Sequence, residues 1–491
     1  VNADKDSADG GISVQFGVSG SGAADTMVLD NYYKDTNYVR VFAVGGPYFR
    51  LVYTNGTTAQ DGAPTIKCIL DTRRAAGGEE HPHIVSQPDA AYDAFQRMRV
   101  SNPHTLINLS HNHGKIGMLV HEKLVAPGTS THVPNESAVD LDLPTNNASA
   151  SVIRQSRRYC QYQSGKSLLW MGTGVLNKKS GGNETNTAAR MGLFDANNGV
   201  FFEYSAQTLK IGKRTYTSGS AVDTTVAVTA FNVDRLDGTG PSRVKIDATK
   251  ANIFFIDLQW LGVGRVRFGI VVGGRLHICH CLRHANTDDK PYMTRATLPV
   301  RYEIVATAGT SALGTMRMIC STVVSEGGLE TIGIPRSIGR FYNEHVAVNN
   351  VKTCVMALRF KSGHARAQVA VNSVRLMSMA TSDFVYAVYH WLHPAADSVM
   401  ATGTWTDVDT ESAMQYNSGT ITDWTGAHIH FHGFMSSEVN VVAIDSPDRI
   451  IHMHTGIADT ESDVLAVMVQ RANGTASQDV MGAISWTEHI S

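Results

Sequence analysis

Apolar and polar residues along this chain recur mostly with a period of two, the spacing that puts alternate side chains on opposite faces of a strand. The clearest stretch is Ile253–Leu282. Val266, Phe268, Ile270 and Val272 alternate there with Arg265, Arg267, Gly269 and Val271. Gly273-Gly274 then separates two such runs, as a tight hairpin requires, because glycine takes positive φ at little cost. Similar runs recur at Ser167–Met171, Val200–Tyr204, Leu209–Arg214, Thr224–Phe231, Val300–Val305 and Thr315–Val324. A later set covers Val355–Phe360, Ala367–Leu376, Phe384–Leu392, His428–Phe434, Val439–Ile444 and Val464–Gln470. Val39–Val44, Tyr48–Tyr53 and Ile66–Leu70 form a smaller group near the start. No helical period is sustained beyond about three turns, although Asp89–Met98 fits one short helix.

Many short strands separated by Gly, Asn and Pro predict an all-β chain of tandem β-sandwich or jelly-roll domains. The divisions fall at 1–93 (a small N-terminal β domain), 94–328 (a central sandwich) and 329–491 (a C-terminal sandwich). Residues 126–151, with three prolines, read as a loop, and Ser325–Arg340 as a hinge. Asn473-Gly474 predicts a closing hairpin between Val464–Arg471 and Val480–Trp486.

Composition narrows the function. A length of 491 residues suits about three domains. The net charge of −2, with no basic run, argues against nucleic acid and charged membrane surfaces as partners. No apolar stretch approaches the ~20 residues of a spanning helix. The 6 cysteines are too sparse for a disulfide framework and read as free thiols. The polar start, VNADKDSADGG, is not a secretory signal, and without an initiator methionine it reads as a processed or internal beginning.

Few patterns carry chemistry. His428, His430 and His432 would share one face of a strand, and three imidazoles can hold zinc. The same spacing would align His277, Cys279 and Cys281, although C-x-C on a strand is a poor zinc pattern. His81-x-His83 and His111-x-His113 read as surface pairs. No nucleophile elbow, zinc-protease helix or phosphate loop occurs. Asp257, Glu203 and Glu303 are the carboxylates nearest to a glycosidase pair. Trp405 and Trp424, in Thr/Asp/Gly-rich surroundings, are the candidate sugar-stacking rings, whereas Trp170, Trp260 and Trp391 read as packing.

Six segments follow in a recognisable order: AFQRMRVSNPHTLIN (Ala94–Asn108), YQSGKSLLWMGTGVL (Tyr162–Leu176), GLFDANNGVFFEY (Gly192–Tyr204), LDGTGPS (Leu236–Ser242), IFFIDLQWLGVGRVRFGIVV (Ile253–Val272) and TLPVRYEI (Thr297–Ile304). Over residues 94–328 this order resembles a group of virion structural proteins of tailed phages, marine and cyanobacterial ones especially, with relatives in large DNA viruses. Val464–Thr487 resembles the closing segment of that group. The resemblance implies a non-enzymatic virion component (tail fibre, spike or capsid-associated protein) with no catalytic residue and no cofactor. Its implied partners are copies of itself, with a homotrimer expected by analogy, and other virion proteins. The alternative reading is a receptor- or glycan-binding fibre module that meets a host surface glycan; a polysaccharide-degrading tailspike comes third.

Overall fold

The computed structural model describes residues 102–489, apart from short breaks at 310, 331–332, 342–343, 365–366, 380–381, 395–397, 437–440, 446–450 and 458–461, together with Asp93 and three N-terminal strands. The chain forms two compact units, Val1–Ser86 and Gln87–Ser491. In the first, Ile12–Gly17 pairs antiparallel with both Asp25–Asp30 and Tyr48–Tyr53. The runs expected at Val39–Val44 and Ile66–Leu70 lie outside the described residues, as does all of Asp89–Met98 except Asp93.

The second unit holds two antiparallel sandwiches, so the all-β reading holds. In the central one, a seven-stranded sheet runs in the order Val222–Ala227, Thr208–Thr215, Gly199–Ser205, Thr187–Phe194, Leu298–Ala306, Ser151–Cys160, Val120–Val125. The facing sheet runs Arg275–Leu282, Val266–Val272, Asn252–Leu258, Leu168–Val175, Gly314–Ser325, Ala138–Leu143, Thr129–Val133, with His104–Leu109 also paired to Gly314–Ser325. Alternate residues of both sheets meet in one core: Met191, Phe202, Val300 and Tyr302 from one, Trp170, Phe254, Phe268 and Val323 from the other. Trp170 is fully buried and donates its indole N–H to Ser321 Oγ at 2.8 Å, so its polar atom is satisfied inside the core. The Gly273-Gly274 turn forms as expected, with φ of 58° and 75° and Val272 opposite Arg275.

The C-terminal sandwich has its own core. One sheet is built around Gln368–Ser378 and Gln478–His489. The other runs Thr406–Asp407, Met414–Asn417, Thr353–Phe360, Val464–Arg471, Phe384–Trp391, His428–Met435. Phe384, Val388, Leu358, Val467 and Trp486 fill the space between them. Among the described residues, no apolar cluster is shared with the central sandwich.

Three sequence expectations are corrected. Ser325–Arg340 is not a hinge throughout, since Ile334–Arg340 is a strand paired antiparallel with Gln478–His489. Residues 126–151 are not one loop. Thr129–Val133 and Ala138–Leu143 are paired strands, and Ala138, Val139, Leu141 and Leu143 are buried against Gly314–Ser325. The alternation in AVDLDL carried that signal, and three prolines in the surrounding sequence obscured it. Nor do Val464–Arg471 and Gln478–His489 form a hairpin. The first is flanked on both sides by Thr353–Phe360 and Phe384–Trp391, and the second lies in the opposite sheet. Asn473-Gly474 therefore sits in an arch between sheets.

Candidate functional site

The proposed histidine triad does not converge. In the pairing of Phe384–Trp391 with His428–Met435, Val388 faces Phe431 while Tyr389 faces Ile429, so His430 is the extra residue of a β-bulge. The bulge breaks the alternation that three ligands on one face require. His430 Nε2 meets His390 Nδ1 at 2.8 Å, whereas His428 and His432 are exposed. The second cluster fails for the same reason. Phe268 pairs with His280 and Gly269 with Ile278, so Cys279 is a bulge residue and Cys281 moves to the face of Arg267. Burial pushes the Cys279 thiol up, away from the thiolate a metal needs. Among the described residues, no three His, Cys, Asp or Glu side chains are placed to hold a metal ion.

The three candidate acids are tied up in ion pairs. Asp257 is fully buried against Arg267, its cross-strand neighbour. On the outer face of the seven-stranded sheet, Arg190 lies directly opposite both Glu203 and Glu303. Its guanidinium meets Glu203 at 2.6 Å and Glu303 at 2.9 Å. Arg301 and Arg214 also reach Glu303, at 2.5 and 3.7 Å respectively. Burial alone would raise the Glu303 pKa, but Arg301, Arg190 and Arg214 outweigh it and hold the carboxyl near 2. Phe194 and Phe201 lie under these guanidinium groups at 5.4–5.7 Å. A glycosidase acid requires a raised pKa, the opposite of what this ladder imposes on Glu303.

The tryptophans also turn inward. Trp424 packs on Tyr389 and Trp391, with ring centroids at 4.8 and 5.8 Å. Trp405 carries the Arg359 guanidinium 4.3 Å above its ring, so that face is not open for a sugar to stack on.

Sequence reasoning missed two features. One is a cleft of about 680 Å³ in the central sandwich. Leu209, Leu236 and Ile246 line its apolar part, while Asn177, Tyr204, Asp237, Lys245 and Asp247 supply polar groups. Asn177 Nδ2 donates to the Tyr204 hydroxyl at 3.1 Å. Asp237 and Asp247 each accept from the backbone N–H and hydroxyl of a threonine two residues on, which lowers both pKa values.

The other is a seam between the sandwiches. Asp463, fully buried, is approached by His390 Nε2 at 3.0 Å, His393 Nδ1 at 3.3 Å and Arg157 Nη1 at 3.4 Å. It also accepts from the backbone N–H of His393 at 3.2 Å and of His454 at 3.0 Å. These contacts hold its carboxyl far below the usual range in spite of burial. Arg157 belongs to Ser151–Cys160 of the central sandwich, and its Nη1 also donates to His393 Nε2. His121, on Val120–Val125, packs its ring at a tilt against His393 with centroids 4.3 Å apart and accepts from the Ile457 N–H at 3.1 Å. Gln368 Nε2 donates to the Tyr159 carbonyl nearby.

No family model and no curated protein matches this chain. Solved structures with a likeness include a legume lectin-like domain from Entamoeba histolytica (8% identity, TM-score 0.24, 41% of this chain and 89% of that one). Arcelin-5, a lectin-like defence protein from Phaseolus vulgaris, has 8% identity and a TM-score of 0.29 over 45% of this chain and 97% of its own. An endo-1,3-β-glucanase from Streptomyces sioyaensis has 11% identity and a TM-score of 0.30 over 46% and 97%. Likenesses this distant bear on neither substrate nor partner.

Proposed function

We propose that this chain is a non-enzymatic structural component of a virus particle that acts by assembling with copies of itself and with neighbouring virion proteins. The observation that carries this reading is the order and spacing of six motifs between residues 94 and 304. They map chiefly onto scaffold, with Trp170, Phe202, Phe254, Phe268 and Tyr302 meeting in one core. Two physical features support it. The carboxylates best suited to hydrolysis are neutralised by arginines. Among the described residues, His428–Met435 is the last strand of its sheet and exposes Phe434 (77%) and Ile429 (51%). Long apolar edge strands are sites where further chains pair.

The test is to locate the protein by electron microscopy in the intact particle and to measure its mass in solution. A defined position on the capsid or tail is expected, with a solution mass of three times the 53.1 kDa chain. Absence from purified particles would overturn the reading; a stable monomer would overturn the trimer.

A second reading, host-glycan binding, is favoured by the 680 Å³ cleft with its apolar floor and fixed carboxylates. Saturation-transfer NMR with neutral mono- and disaccharides would then show contacts that Asp247→Ala abolishes and that survive Trp405→Ala and Trp424→Ala. No saturation transfer at millimolar sugar would sink this reading alone.

A further inference from the structure

The bonds across the seam dictate protonation states. Arginine has five donors and no acceptor. His393 Nε2, which receives Arg157 Nη1, must therefore present a lone pair. A backbone N–H likewise only donates, so His121 Nδ1, which receives the Ile457 N–H, must also be unprotonated. Neither ring can take a second proton and keep its bond across the seam. His393 is held in this role by its backbone: it follows Phe384–Trp391 with φ of 47°, a left-handed conformation, and its N–H is anchored on Asp463.

We propose that this seam is an acid-released joint: a proton taken up on His121 or His393 breaks the acceptor bond and parts the C-terminal sandwich from the central one, while each sandwich stays folded. The separation is possible because the two cores share no apolar cluster among the described residues. The contacts described above across the joint are polar.

The surrounding charges give the same direction. His393 faces Arg157, Asp463, His121 and His390. His121 faces Arg157, Asp463, Lys123 and Glu122, and Glu122 is already held by Lys115 and Arg154. On the C-terminal side, His454 faces Asp463, His452, His390 and Arg157. His452 faces Arg158 and His489, and His430 faces His390, His428 and Asp463. Asp463, with Glu122 beside His121, favours the charged rings, but burial and the neighbouring cations outweigh them. Burial, with Arg157 beside both rings, depresses His121 to about 4 and His393 to about 3. Once exposed, each ring titrates near 6.5, so acid draws the equilibrium to the open form well before the closed-state values are reached. The same geometry disfavours a metal here, since the Arg157 guanidinium sits on the imidazole nitrogen a cation would need.

The experiment is small-angle scattering of the full chain from pH 7.5 to 4, with far-UV circular dichroism in parallel. The radius of gyration is expected to rise on acidification and recover at neutral pH, with strand content unchanged. In a double variant, His121→Asn and His393→Gln, amide oxygens keep both acceptor positions but do not titrate. The opening should move at least about one pH unit lower, a tenfold higher proton concentration. A constant radius down to pH 4, opening at the same pH in the variant, or simultaneous loss of strand signal would each overturn the joint. Should the variant fold poorly, hydrogen exchange on the unaltered chain decides. Peptides from Val120–Val125 and Ser151–Cys160 should lose protection at higher pH than Leu298–Ala306. Loss of protection in the reverse order, or in step, would end the proposal.

Discussion

The two sandwiches bury charge in opposite ways. The central one sets permanent cations against carboxylates: Arg190 between Glu203 and Glu303, with Arg301 and Arg214 alongside. The C-terminal one surrounds a single carboxylate, Asp463, with imidazoles and borrows its guanidinium, Arg157, from its neighbour. Guanidinium groups keep their charge at any physiological pH, whereas imidazoles change theirs between about pH 5 and 8. The first arrangement is a fixture and the second is conditional. A β-sandwich can thus be made indifferent or responsive to acid without altering its strand pattern.

The largest effect is expected from Glu303→Gln. Three guanidinium groups lie within 3.7 Å of that carboxylate and would lose it together. Breaking a buried network by removing one partner costs about 3–5 kcal/mol. Calorimetry should show the central transition falling by that amount, equally at pH 8 and pH 6. A cost that varied across this range would mean the ladder is not fixed.

Asp463→Asn comes next, at roughly 2–4 kcal/mol in the C-terminal transition, because Arg157 and two backbone donors lose a charged acceptor. The variant should also become more acid-sensitive. Without the carboxylate, an imidazolium at His393 or His454 meets only positive charges among the groups named here, so stability should be lost at higher pH than in the unaltered chain. Equal acid midpoints would refute the role given to Asp463.

What the sequence made legible follows from local rules. The hairpin at Gly273-Gly274 and the alternation of Val266–Val272 need only near neighbours, and both appear as expected. The two candidate metal strands failed at bulges, His430 and Cys279, which shift the face of every later residue and carry no sequence mark here. Ser151–Cys160 was missed because SVIRQSRRYC places Arg154, Gln155 and Arg157 in buried positions. Their partners lie far away in sequence; Arg157 and Asp463 are separated by 306 residues. No window-based reading joins such a pair, so the seam became visible only in three dimensions.

A third effect concerns the unaltered chain. Burial depresses His393 and His454 to about 3, and His121, His430 and His452 to about 4. The unfolded chain, with imidazoles near 6.5, binds protons first as the pH falls. Stability is therefore fully present above about pH 6.5 and is lost progressively towards pH 3–4. His393, whose side chain is 4% exposed, contributes a slope of up to about 1.4 kcal/mol per pH unit in that window. Asp463 adds a further loss only below the ordinary carboxylate range, near pH 4. Calorimetric scans should show the C-terminal transition falling further with acid than the central one, in which His111 and His121 are also depressed to about 4. Parallel decline of both transitions would erase the contrast.

The smallest effect is the sharpest control. Arg359 is a permanent charge inside the histidine-rich sandwich, 4.3 Å above the Trp405 ring and 3.0 Å from the Gln415 amide oxygen. Methionine at this position keeps most of the stem but removes the cation. Arg359→Met should cost about 0.5–1 kcal/mol, the usual worth of such a contact near a surface. If acid sensitivity belongs to the imidazoles rather than to the sandwich as a whole, that cost must be the same at pH 7.5 and pH 5.5. A cost that changed between the two would place the acid response in the packing of the C-terminal sandwich itself, and the distinction between fixed and conditional charge would no longer explain the difference between the two halves.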